Sequence, residues 1–249
     1  MLLMFCLRQV PLLLLALLGG ATLAGAAQTD WRDIESRVQY AWYTEDARDL
    51  ASIESHLREL GDSDPKQGYY LTLVQLREAQ ITSDVSLAGR AAAGCIDSAD
   101  AALAARPTDA ELLALQSSCM DLRSRSHPVG MPFAGSRSRA QMQRALQLAP
   151  GNPRVRLLAA QLSYADAKST AERTRQLGVF QSAVDAFEVE RQGLERIPGW
   201  GAAEAWQGLA QVYLDRGDAI AARSALEHAL LLVPDYKSAH RLLNHIVTG

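Results

Sequence analysis

The sequence predicts an all-α chain built from antiparallel helical hairpins. Three observations point there. Alanine and leucine dominate the composition while β-branched residues are sparse, which favours helix. No run alternates apolar and polar residues for long enough to read as a strand. The nine prolines fall mostly between apolar stripes of helical spacing, where they end one helix and start the next.

The elements follow in chain order. Residues 30 to 60 read as helical and either begin the stack or cap it. Asp64 and Pro65 mark the next helix start, in LGDSDPKQGYYLTLVQLREAQ. Residues 99 to 122, ADAALAARPTDAELLALQSSCMDL, turn at Pro107, and Thr108 with Glu111 reads as a capping box. Residues 145 to 166, ALQLAPGNPRVRLLAAQLSYAD, break at Pro150 and restart with Asn152 as cap and Pro153 at the first helical position. Residues 193 to 206 break again at Pro198, and Trp200 beside it is expected to cover a joint between hairpins. A last helix is expected from Tyr236 to Val247.

Between these lies the clearest segment, AEAWQGLAQVYLDRGDAIAARSALEHALLLVP, residues 203 to 234. Trp206, Leu209, Tyr213 and Leu214 recur at helical spacing. Ala210, Ala222 and Ala229 are small enough to let two helices approach. Gly217 and Asp218 make the turn, and Pro234 stops the second helix. Residues 203 to 236 resemble one tetratricopeptide repeat, a hairpin of roughly 34 residues. The resemblance implies a tetratricopeptide-like α-solenoid of about eleven helices with a C-terminal capping helix. The spacings from Pro107 to Pro150 and from Pro150 to Pro198 exceed that period. The extra residues fall at about Ser124 to Ser138 and Ala165 to Gly178, as loop insertions.

In this family the first helices of successive hairpins line a concave groove that receives peptides. The resemblance therefore implies a partner-binding groove at Arg154, Leu157, Gln161, Glu204, Gln207, Gln211 and Asp215. The lysine and asparagine pattern that clamps chaperone C-termini is missing there. The segment 123 to 139 offers a second surface, with Arg123, Arg125, Arg137 and Arg139 around Val129, Met131 and Phe133. Either it binds an acidic partner or its arginines are solvated.

The N-terminus reads as an export signal. Arg8 precedes an apolar core at about Val10 to Leu18, and Ala24-Gly25-Ala26 fits a cleavage site. Cleavage after Ala26 or Ala27 makes 1–27 the leader and 28–249 the mature domain, periplasmic or secreted and not membrane-spanning. An uncleaved anchor is the alternative reading. Cys6 precedes the apolar core and lacks a lipobox, so no lipid anchor is expected.

The mature chain keeps two cysteines, Cys95 and Cys119, each twelve residues from Pro107. In an antiparallel pair turning there, both lie at one height on facing stripes, so a disulfide is expected. No His-Glu-x-x-His, Gly-x-Ser-x-Gly or phosphate loop is present. His240 and His245 point apart on a helix, and the acidic pair Glu188 and Glu190 reads as solvated surface. No catalytic residue, metal or cofactor is expected. A net charge of −3 without a basic patch speaks against nucleic acid. The function expected is a non-enzymatic envelope scaffold binding a protein or peptide, the alternative being a sensor of peptide or cell-wall glycan.

Overall fold

The computed structural model describes residues 29–60, 64–126, 134–191 and 199–248, and among them every regular element is an α-helix. The expected leader 1–27, Cys6, Pro198 and positions 127–133 of the second surface lie outside the described residues. Helices α1 (Trp31–Tyr43), α2 (Ala47–Glu59), α3 (Pro65–Ile81) and α4 (Val85–Ala105) form two hairpins. Helices α5 (Ala110–Ser126) and α6 (Ala134–Leu148) form the third. The fourth pairs α7 (Pro153–Asp166) with α9 (Leu177–Arg191), and the short α8 (Thr170–Thr174) fills the connection. The fifth pairs α10 (Ala202–Asp215) with α11 (Ala219–Leu232), and α12 (Lys237–Thr248) caps it. The inserted residues thus resolve partly into helix: the ends of α5 and α6 at one site, and α8 at the other.

Helix starts are set by short acceptor side chains. Asp30, Asp46, Asp64, Asp84, Asn152 and Asp218 each accept from a backbone N–H of the first turn. Such a cap contributes about 1 kcal/mol. The capping box expected at Thr108 and Glu111 does not form. Asp109 takes the role, accepting from Leu112 N–H at 3.1 Å. Glu111 turns inward instead, where Tyr69 and Asn152 each donate to it at 2.6 Å. A buried donor pair outcompetes a solvated backbone cap for that carboxylate.

The clear repeat packs as its small residues require. Ala210, Ala222 and Ala229 are fully buried between α10 and its neighbours. At Gly208 a Cβ would lie 2.2 Å from Phe180 Cε1, so only glycine lets α10 approach α9 this closely. Gly201 caps α10 with φ at 113°, a left-handed conformation that glycine adopts freely.

Cys95 in α4 and Cys119 in α5 are joined by a disulfide, with Cα atoms 6.0 Å apart. Both are fully buried. The bridge spans 24 residues and ties the second hairpin to the third. Replacing both cysteines with alanine is expected to lower stability by about 3 kcal/mol. Urea unfolding of oxidised, reduced and double-alanine protein checks this. Equal midpoints in all three would show that the bridge adds nothing.

The N-terminal hairpin touches both ends of the stack. Helix α2 packs on α3 as the next hairpin would. Tyr43, at the end of α1, joins a separate core cluster with Ala203, Ala210, Tyr236 and Ala239. Its ring meets Tyr236 edge-on at 4.7 Å. Arg241 of α12 donates to Glu45 in the α1–α2 turn at 2.8 Å. The solenoid therefore closes on itself, with its first hairpin against its last.

Candidate functional site

Closure determines what becomes of the inner face. Helices α3, α5, α7 and α10 bring polar side chains inward, and α1 with the 199–201 link fills the space between them. Trp200 is 1% exposed and donates its indole N–H to Tyr69 Oη at 2.9 Å. Tyr69 in turn donates to Glu111. Trp31 stacks on Tyr70 with ring centroids 5.5 Å apart. Glu35 of α1 accepts from the Tyr70 hydroxyl, from Gly199 N–H and from Gln39.

Two arginines anchor this interior. Arg77 pairs with Glu204, both essentially inaccessible to solvent. The Arg77 guanidinium carbon lies 4.4 Å from the Trp42 ring centroid and 4.9 Å from that of Trp200, a cation held between two indoles. Arg154 donates to both oxygens of Glu190, at 2.8 and 2.9 Å, and lies 3.6 Å from Glu111. Burial raises the Glu204 carboxyl above the usual range, although Arg77 opposes it. Burial likewise raises Glu35, against the hydrogen bonds from Tyr70 and Gly199. The Tyr69 hydroxyl is pushed up by burial and then by Glu111. Glu204 Oε2 and Trp42 Nε1 are both buried without a partner in hydrogen-bond geometry. The indole N–H still helps to hold the Glu204 charge.

The groove residues expected from the resemblance separate into two sets. Arg154, Leu157 and Glu204 are buried and do not line an open groove. They lie in the N-terminal halves of α7 and α10, where Trp200 and the first hairpin occupy the concave side. Gln161, Gln207, Gln211 and Asp215, further along the same helices, remain half-buried at the surface. Asp215 accepts from Tyr164 at 2.5 Å and pairs with Arg173 at 3.3 Å. Gln207 accepts from the Tyr236 hydroxyl at 3.3 Å. This partly exposed polar strip is the part of the expected groove that stays at the surface.

Other expected surfaces are committed internally. Glu190 is not free surface, because it neutralises Arg154. Arg125 and Arg139 both reach Asp166 at the end of α7, at 3.1 and 3.2 Å, and Arg123 donates to the Gly89 carbonyl. Arg77 and Glu35 escaped notice in the sequence, and Glu111 was read as a cap, since each looks like an ordinary helix-surface charge until its partner arrives from more than 30 residues away. No group of three metal-ligating side chains occurs among the described residues. None of their helices is long and apolar enough to cross a membrane.

No protein-family model and no curated protein matches the sequence. Among solved structures, a thermophilic tetratricopeptide repeat protein of Thermus thermophilus superposes with a TM-score of 0.58 at 14% identity, over 87% of this chain and 98% of that one. An assembly chaperone of RpL4 aligns over 88% of this chain and 96% of its own at 12% identity, but its TM-score of 0.38 is too low to speak to fold. The likeness to the Thermus protein is a likeness of fold. The chain folds as a tetratricopeptide-like α-solenoid.

Proposed function

We propose that this protein is a non-enzymatic scaffold of the cell envelope, exported by its leader and soluble in the periplasm once the leader is removed. Its partner is a protein or peptide. The observation that carries this is the polar strip of Gln161, Gln207, Gln211 and Asp215, left partly exposed on two successive first helices of a hairpin stack. Helical solenoids present extended surfaces of this kind to partners. The interior charges support the reading, because Arg77, Arg154 and Glu35 are spent on each other's neighbours and hold the frame.

In-cell photocrosslinking tests it. A photoreactive residue at Gln211 is expected to give a discrete protein adduct. One at Glu227, which is exposed on α11, is expected to give none. No adduct at Gln211, or the same adducts at both positions, would refute a partner on this strip. Mass spectrometry of the isolated protein tests export, with a mature N-terminus expected near Gln28.

A further inference from the structure

The net charge of −3 hides an uneven distribution. Residues 28–121 carry seventeen acidic side chains against eight basic ones, and residues 122–249 carry sixteen basic against eleven acidic. The second half of the chain is therefore cationic within a protein that is anionic as a whole. The fold gathers part of this excess at one edge. Asp166 at the end of α7 is reached by Arg125 from the end of α5 and by Arg139 from near the start of α6. Tyr164 of α7 donates to Asp215 at the end of α10, and Arg173 of α8 pairs with the same carboxylate. The ends of α5, α7 and α10 thus meet the start of α6 and α8 along one border of the stack.

The carboxylates of this edge are already engaged. Asp121 takes Arg125 at 2.7 Å, Asp166 takes two arginines and Asp215 takes Arg173. Glu172 accepts from the Lys168 backbone N–H at 2.6 Å, and Asp218 caps α11. Four exposed cations stand beside these groups with no carboxylate partner among the described residues: Arg137, Lys168, Arg175 and Arg216. Each lies within two residues of Arg139, Asp166, Arg173 or Asp215. Service to their own helices explains only part of this. Arg175 and Arg216 are C-caps, where the helix dipole favours a cation. Arg137 lies in the first turn of α6 and Lys168 just precedes α8, where the dipole disfavours one.

We propose that this edge is a docking surface for an acidic segment of a protein partner. Helix axes packed about 8–10 Å apart spread α5, α7 and α10 over about 20 Å, the length of roughly six extended residues. Four unmatched cations suit a segment of that length carrying several carboxylates. A polynucleotide fits less well, because it draws its affinity from many phosphates and from bases stacked on aromatic rings. The largely exposed aromatic ring of the described residues, Tyr40, lies elsewhere, on α1. The four cations are spread from 137 to 216 in the chain, so no basic run announces them. The arginine-bearing segment 123 to 139 supplies only Arg137 to the set. This inference depends neither on export nor on the polar strip of α7 and α10.

Calorimetric titration of the purified protein tests it with two blocked hexapeptides, one all glutamate and one all glutamine. At about 50 mM salt the glutamate peptide is expected to bind at least about tenfold more tightly, although the net charge of the protein repels it. Most of that affinity should vanish at about 0.5 M salt. Combining Arg137→Glu with Arg175→Glu is expected to weaken binding at least about tenfold. Combining Arg48→Glu with Lys66→Glu, on α2 and α3, changes the net charge equally and should weaken it less than about threefold. All four positions are exposed, so both double variants fold, and their urea midpoints check this. Equal affinity for the two peptides, no binding of the glutamate peptide at about 1 mM, or equal weakening by the two double variants would each overturn the proposal. A single-stranded dodecanucleotide binding more tightly than hexaglutamate would overturn protein as the source of the acidic groups.

Discussion

Replacing Arg77 with methionine is expected to cost about 3–5 kcal/mol of unfolding free energy. Methionine roughly keeps the volume of the side chain but removes its charge. Glu204 would then be a carboxyl group at 1% exposure with its principal partner gone, costly to ionise. The cation between Trp42 and Trp200 would also be lost. Urea denaturation at neutral pH measures the deficit. The sign with pH follows from the Glu204 carboxyl, whose folded pKa is raised by burial. A group raised in this way favours the folded state below its unfolded pKa and loses that contribution as pH rises through the folded value. Losing Arg77 raises the folded value further, so the deficit should shrink as the solution is acidified. Adding Glu204→Leu should recover most of the loss at every pH, because a matched apolar pair avoids the desolvation of both charges. A single variant as stable as wild type, or a double variant worse than the single, would show that the pair does not hold the interior together.

The helices were legible in the sequence for local reasons. Asn152 followed by Pro153, Asp64 followed by Pro65, and Gly217 followed by Asp218 each fix a helix boundary through contacts within a few residues. Cys95 and Cys119 were legible because the hairpin turn at Pro107 brings equidistant positions together. The capping box was misread because Glu111 is drawn from the surface by Tyr69 and Asn152, both about 40 residues away in the chain, and Asp109 caps the helix in place of Thr108.

The inner face was illegible for a related reason. Position within a repeat says that Arg154 and Glu204 point to the concave side, and they do. It does not say what lies opposite. That depends on superhelical closure, which the Tyr43–Tyr236 contact and the Glu45–Arg241 pair set across nearly the whole chain. The exposed Glu45–Arg241 pair contributes little by itself. The buried aromatic contact and the alanines around it supply most of the closing force. A solenoid that closes this early exchanges an open groove for a polar core, and of the expected groove residues those on the far halves of α7 and α10 stay at the surface.

The 199–201 link is where that exchange is most exposed to test. Trp200→Ala is expected to destabilise the protein by about 3–5 kcal/mol through lost burial and a residual cavity. The indole fills space bounded by Tyr69, Arg77 and Arg154, and its N–H satisfies the Tyr69 oxygen. Trp200→Phe keeps much of the volume but not the donor, so it should fall between the two. If a shaped cavity forms, free indole should enter it and raise the melting temperature of Trp200→Ala, with no comparable effect on wild type. A deficit without rescue would mean that the surrounding helices collapse into the space and the inner face is pliable. A deficit below about 1 kcal/mol would place Trp200 outside the packed interior and reopen the concave groove along the full length of α7 and α10.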